Sequence, residues 1–426
     1  MAHDHNIKDD ARRKLTDQVL NFHEANGDAV AWNTEAPADF TFLFDPDHLL
    51  VRSSAVEAFE RAVEATKDEL FEGELTRSEE TVPGRLARYR VPPRRAGLAL
   101  PDVVTELRRI GDFPPGDVTL DHWIHVAPGG GTLCPAIEPE ETGLKEPWPG
   151  QCESRRRKRK PVRVSVVDSG WHPPAATDPR TPWLAGVEGD DELNGPDLRE
   201  YAGHGTFIAG VIRCLAPHTD IYVEGFCIGG AGGGGILESQ IIDQLEEALA
   251  RDPQVINLSA GCRTHDDFPS LAFEVFYETL LKERDCVLVA AAGNDASPAP
   301  FWPAAAPWAI GVGSLDHDGR VSSYSNYGVS ADVYALGRNI VNAFPDGTFT
   351  CEETPSKGDV RVFSTGMARW SGTSFSAPVV AGLIAREIYA SGSSADAAAA
   401  AVLATSVYTS DPAVGPFQAL RQPYDA

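Results

Sequence analysis

A chain of 426 residues is long enough to bury a large core and to hold more than one domain. Its formal charge of −25 argues against a nucleic-acid partner, because phosphates are repelled wherever basic residues are not concentrated locally. The 42% hydrophobic and 23% charged content is that of an ordinary globular protein, and no window holds the ~18 uninterrupted apolar residues that argue for a membrane span.

Residues 1–37 begin with a charged segment in which Leu15, Val19 and Phe22 share one helical face, predicting a short amphipathic helix. Met1 to Val19 carries no apolar run of the secretory kind, and the seven cysteines are scattered without metal spacing; both features point to a reducing, cytoplasmic setting. His3 and His5 lie in a terminal tail and are assigned no metal.

From 38 to 128 a compact pattern follows. The run Leu49–Val51 predicts a strand, and Val56, Phe59 and Val63 are spaced for a helix. Ala87, Tyr89 and Val91 alternate as a strand, Pro101 opens a helix carrying Val103, Val104 and Leu107, and Val118, Leu120, His122, Ile124 and Val126 alternate as a final strand. This order, with room for a fourth strand, predicts a small α+β domain of ferredoxin-like type without a catalytic constellation. Residues 129–160 lose periodicity, carry Gly129–Gly131 and the basic run Arg155–Lys160, and read as a linker. The basic run is open to three readings: a solvated linker, a protease-sensitive site or a patch for an anionic partner.

From 161 to 426 strands and helices alternate, the signature of a parallel sheet covered on both faces. Val162–Val167 predicts a strand ending at Asp168, and a helix follows Gly203-His204-Gly205. Ile221–Val223 is a predicted strand and Ile236–Leu249 a helix. Val255–Leu258 is a strand leading into Ser259-Ala260-Gly261, Leu271–Leu281 is a helix, and Val287–Ala290 is a strand running into Gly293-Asn294. Ser374, in Gly372-Thr373-Ser374, precedes the apolar helix of Val379, Val380, Leu383 and Ile384. In such sheets reactive groups gather where strands end and helices begin.

A serine hydroxyl needs a base to take its proton, a carboxylate to orient that base, and donors for the oxyanion that forms. Ser374, His204, Asp168 and Asn294 supply one candidate for each role, in one of the chain orders in which that constellation recurs. Taken singly, each is as readily a cap, loop or turn residue. With their flanks, Val-Val-Asp168-Ser-Gly, Gly-His204-Gly-Thr-Phe-Ile-Ala-Gly, Asn-Leu-Ser259-Ala-Gly261, Ala-Ala-Gly-Asn294 and Gly-Thr-Ser374-Phe-Ser-Ala-Pro, the chain from 162 to about 390 resembles the subtilisin-like serine proteases, the subtilases.

The resemblance implies an α/β subtilisin-like parallel sheet flanked by helices, preceded by a pro-domain-like α+β domain, and a peptidase acting on a peptide or protein. It makes Ser374 the nucleophile, His204 the base, Asp168 its partner and Asn294 the oxyanion donor. Ser259, Ala260 and Gly261 become a substrate-pairing strand, with a second such strand at Glu224–Ile228. Asp295, beside the oxyanion asparagine, would favour a basic side chain in the nearby pocket. The N-terminal domain would act as an intramolecular inhibitor.

No cofactor is implied, and no calcium is expected between Val211 and Ile221, where the chain is short and poor in carboxylates. Phe207 and Val379 stand where histidine is common in the family. The stretch Asn342–Trp370 reads either as a substrate-facing loop or as a plain insertion. The glycine run Gly229–Gly235 lacks the Lys-Ser/Thr pair of a phosphate loop and reads as a flexible rim. Cys214, Cys227, Cys262 and Cys286 read as small buried apolar residues. Two classes remain: a serine endopeptidase with an inhibitory or regulatory N-terminal domain, and a peptide-binding pseudoprotease whose cleft that domain never leaves.

Overall fold

The computed structural model describes residue 23 and residues 29–34, 41–78, 85–95, 97–126, 137–151, 159–192, 195–226 and 235–420. The helix read over Leu15–Phe22, His3 and His5, Gly129–Gly131, Cys227 and Arg155–Lys158 lie outside them.

The two-residue strand Ala31–Trp32 pairs antiparallel with the long strand Leu43–Arg52 (β1), which begins well before the apolar run at Leu49–Val51. The polar residues inside it are tolerated because the Asp45 carboxylate accepts from Asp47 N, binds His48 Nδ1 and accepts from the Arg88 guanidinium, at a break in the strand's register between Phe44 and Leu49. Helix α1 (Val56–Leu70) follows, then the two-residue strand Thr76–Arg77, β2 (Leu86–Arg90), α2 (Leu100–Ile110, with Pro101 in its first turn) and β3 (Val118–Val126). The pairing is antiparallel, with β1 between β2 and β3 and Thr76–Arg77 at the outer edge of β2. Period-two alternation buries both faces. Leu49, Val51, Ala87, Val118 and Leu120 pack under α1 and α2, whereas Leu50, Leu86 and Ile124 join a second core built from the larger domain.

The stretch read as a linker is structured where it is described. Glu140–Glu141 (β4) pairs with a strand that ends just before Ser374, and Trp148 bridges to Val341.

The larger domain is built on a nine-stranded sheet. Its central strands are Val162–Asp168 (β5), Thr219–Gly225 (β6), Val255–Leu258 (β8), Val287–Ala291 (β10), Ala309–Leu315 (β11) and Val333–Leu336 (β12), all parallel, in the spatial order β12-β11-β10-β8-β5-β6. The remaining labelled elements are α3 (His204–Leu215), β7 (Gly235–Leu237), α4 (Glu238–Ala250), β9 (Ala260–Gly261), β13 (Met367–Trp370) and α5 (Thr373–Ser391). Helices α3 and α5 share the core on one face of the sheet, and α4 and Leu271–Phe276 the core on the other. The helix read over Leu271–Leu281 changes character after Phe276, where Lys282 N bonds to Tyr277 O in a wider turn. Asn342–Trp370 is β-structure: Ile340–Ala343 pairs with β13, and Gly347–Thr350 with Val360–Phe363.

Candidate active site

Three element ends converge. β5 ends at Asp168, α3 begins at His204, and Ser374 is the second residue of α5. The His204 imidazole lies 2.7 Å from Asp168, Nδ1 to Oδ1, with both side chains fully buried. Ser169 N donates to the same carboxylate oxygen at 2.7 Å, and Ser169 Oγ accepts from Gly205 N at 3.1 Å, tying the strand end to the helix start. Gly205 is required for this approach, since a Cβ there would meet Gly170 O at 2.5 Å. The back of the imidazole is walled by Trp370 and Phe375, each with its ring centroid at 5.3 Å. Phe207 packs on both of these rings, so an aromatic residue at that position completes the wall.

Ser374 Oγ and His204 Nε2 are buried, and neither has a hydrogen-bond partner. A buried polar atom left unpaired costs free energy, so two of them at converging element ends point to chemistry more than to stability. The first turn of α5 adds unpaired N–H groups and the positive end of a helix dipole at Ser374. Asn294 is braced here: its Oδ1 accepts from Thr373 N at 2.9 Å and from Thr373 Oγ1 at 3.0 Å, which fixes the plane of the amide.

Ala260 and Gly261 pair antiparallel with Val126 and His125 of β3. Ser259 lies outside that short strand. Its hydroxyl, held by Asn257 Nδ2 at 3.0 Å, donates to Ser374 O at 2.9 Å, so it braces the Ser374 backbone. Of the second pairing strand expected at Glu224–Ile228, Glu224 and Gly225 belong to β6, where Glu224 bonds Arg251, and residues 227–228 lie outside the described residues; the strand that pairs with β3 here is β7, through Gly235–His125, Ile236–Ile124 and Leu237–Trp123. Asp295 is tied into a turn, its N–H donating to Asn326 Oδ1 at 2.8 Å and its carboxylate accepting from Asn326 Nδ2 at 3.3 Å. Asn326, which also donates to Ala292 O, organises the loop that carries Asn294. Trp370, Phe375 and Asn326 were not singled out by sequence reasoning, because a packing wall and a loop brace carry no motif of their own.

β3 is held in place by buried polar contacts. Asp121 accepts from Ser239 N and Ser239 Oγ at the start of α4, and from Arg88. Burial pushes the Asp121 carboxyl up to about 6, with Arg88 opposing. His122 bonds Glu238 at 2.5 Å through Nδ1 and accepts from His265 N at 3.1 Å. Burial alone lowers His125 to about 3. Cys214, Cys262, Cys286 and Cys351 are buried, and burial raises the Cys262 and Cys286 thiols well above the ordinary range. Among the described residues, no group of three or more His, Cys, Asp or Glu side chains is placed to hold a metal, and no helix is long and apolar enough to cross a membrane.

A parallel sheet with an aspartate at a strand end and a histidine and a serine at helix starts has the architecture of an α/β serine hydrolase. The family model described as the subtilase family (Peptidase_S8) matches residues 159–419, and the chain belongs to that family. It is 32% identical over 235 residues to the thermophilic serine proteinase of Bacillus sp. (strain AK1), covering 52% of this chain and 51% of the relative. Subtilisin Savinase of Lederbergia lenta is 29% identical over 236 residues, covering 53% of this chain and 75% of that protein. The chain matches about half the length of several of these curated relatives. Among solved structures, a cold adapted subtilisin-like serine proteinase aligns with a TM-score of 0.45 at 22% identity, over 61% of this chain and 88% of its own.

Proposed function

We propose that the protein is a serine endopeptidase whose N-terminal α+β domain inhibits or regulates it. The observation that carries this reading is the buried Asp168–His204 pair beside a Ser374 hydroxyl with no hydrogen-bond partner. Ser374 Oγ attacks the scissile carbonyl carbon as His204 Nε2 takes its proton, and Asp168 holds the imidazole and balances its charge. The oxyanion is received by Ser374 N–H and the Asn294 amide. As the intermediate collapses, the C–N bond breaks and His204 returns the proton to the leaving amine. Water then hydrolyses the acyl-enzyme by the same proton route. The substrate is a peptide or protein adding as a strand between β7 and β9, the position β3 now occupies.

Residues 127–136 join β3 to Ile137, so self-cleavage between 127 and 140 is the expected processing, with the basic run as the rival site. A second reading, a peptide-binding pseudoprotease, is favoured by one observation: Ser374 and His204 are 0% exposed with β3 in the cleft. Fluorophosphonate labelling of the full chain separates the two. Stoichiometric modification of Ser374 supports the peptidase, and an unreactive serine in a folded chain supports the idle scaffold. N-terminal sequencing after incubation, with Ser374→Ala as control, locates any processing.

A further inference from the structure

We propose that the edge of β13, with Arg369 and Arg361, is a groove for the part of a substrate that follows the scissile bond, and that it selects acidic side chains there. This rests on the peptidase reading above. The chain passes Ser374 on both sides: β3 runs along β9 as far as Val126, and the described chain resumes at Ile137, whose carbonyl accepts from Trp370 Nε1 at 2.6 Å. Trp370 is the indole packed on His204 and the last residue of β13, four positions before Ser374. From there β4 adds antiparallel to β13, with Glu140 opposite Arg369 and Glu141 opposite Ala368. A peptide bound in the direction of β3 therefore has its leading part between β7 and β9, and the residues after the cut pass His204 towards β13.

The chemistry of the occupied groove has one polarity. In the described contacts to the Glu138–Glu141 side chains and to the Glu138 and Pro139 carbonyls, the donors lie on the catalytic side and the acceptors on the bound segment. Arg369 reaches Glu140 Oε2 through Nε at 2.9 Å and through its terminal nitrogen at 2.7 Å. The Arg361 guanidinium donates to Pro139 O at 2.6 Å and Glu138 O at 3.3 Å. Val362 N donates to Glu141 Oε1 at 2.7 Å, and Glu352 N to Glu138 Oε1 at 2.6 Å.

Three carboxyl groups in four residues, Glu138, Glu140 and Glu141, are thus received by Arg369 and two backbone N–H groups, while Arg361 holds backbone carbonyls of the same segment. Backbone pairing and Arg361 supply general affinity for an extended chain, and Arg369 supplies the choice of side chain. The occupant lies outside the family-matched residues 159–419, whereas β13 and both arginines lie inside them. The contact is also built to exchange: the strand pairing is two residues long, and the Arg369–Glu140 pair is 44% and 36% exposed, where an ion pair contributes little to permanent stability.

The test uses the full-length protein, incubated to allow processing, and quenched peptides identical up to the cut that carry Glu, Gln or Lys after it. Glu peptides are expected to be cleaved with kcat/KM about fivefold above Lys peptides, the scale of a partly exposed ion pair. Arg369→Gln should flatten that ratio and Arg369→Glu invert it, with thermal unfolding as the check on folding. An unchanged ratio in both variants, with Ser374 still labelled by fluorophosphonate, overturns the inference and leaves the peptidase reading standing. Absence of both cleavage and labelling removes the peptidase reading. The groove is then tested by fluorescence anisotropy on the Ser374→Ala chain carrying Glu138→Lys, Glu140→Lys and Glu141→Lys, changes that repel the resident segment from both arginines. Tighter binding of a labelled Glu-rich peptide than of its Gln counterpart supports the groove, and equal binding overturns it.

Discussion

His125 makes the docking of β3 sensitive to acid. Its neighbours in the strand ladder are Gly235 and Gly261, both from the larger domain, because β3 has by then run past its pairing with β1. Its burial therefore depends on docking. Burial lowers the imidazole to about 3, against about 6.5 for an exposed histidine. A depressed imidazole leaves docking unaffected above pH 6.5 and weakens it as pH falls from there towards 3. At about 1.4 kcal/mol per unit, the loss between pH 7 and pH 5 is about 2 kcal/mol, or roughly 25-fold in the docking equilibrium.

Other groups move with pH over the same range: His265, lowered to about 4 by burial, adds to the effect, and Asp121, raised to about 6, opposes it. The His125→Gln variant isolates the term, since glutamine stays neutral. Hydrogen exchange of the 118–126 amides, corrected for intrinsic rate and measured in a Ser374→Ala background, should lose about 25-fold more protection between pH 7 and pH 5 with His125 than with glutamine. Equal losses in the two chains would refute the reasoning.

The segment around Glu138 should respond in the opposite sense. Burial, and next the Glu353 charge, raise this carboxyl to about 7, with the hydrogen bond from Glu352 N, Arg361 and a hydrogen bond from Cys351 opposing. Burial of the segment is favoured with this carboxyl protonated and weakens as pH rises from about 4.5 to 7, so corrected exchange over 137–141 should be faster at pH 7.5 than at pH 5, and insensitive in Glu138→Gln. Ser374→Ala, His204→Ala and Asp168→Ala should each abolish most turnover, with the Ser374/His204 double change costing little more than either alone; additive losses in kcat would contradict a concerted unit. Asn294→Ala should lower kcat about 10²- to 10³-fold, a magnitude carried over from the corresponding donor in a subtilisin, and an effect confined to KM would reassign the residue to binding. Exhaustive EDTA treatment should leave kcat/KM unchanged, and an activity lost and then restored by calcium would reveal a metal requirement.

Motif-bearing parts of the site were legible in one dimension. Asp168, His204 and Ser374 stand where an apolar run ends or begins, and glycines beside them mark close backbone approach, as Gly205 against Gly170 O demonstrates. Strand alternation likewise marked β2 and β3. What composition and periodicity could not reveal was which face each alternating residue meets: Leu49 and Leu50 read as one apolar run, yet they bury in different cores because a second domain covers the other face of the sheet. The strand β7 beside β3 was not legible for a related reason. A two- or three-residue strand such as β7 has no period of its own and exists because a longer strand lies beside it. The same holds for Glu140–Glu141, which reads as linker in a Pro- and Gly-rich context and becomes a strand only where the edge of β13 offers its hydrogen bonds. Local spacing thus determined the long elements and marked the candidate site residues, whereas the short strands, the aromatic wall behind His204 and the polarity of the groove were decided by tertiary packing, since unpaired backbone groups and buried rings are satisfied by neighbours distant in sequence.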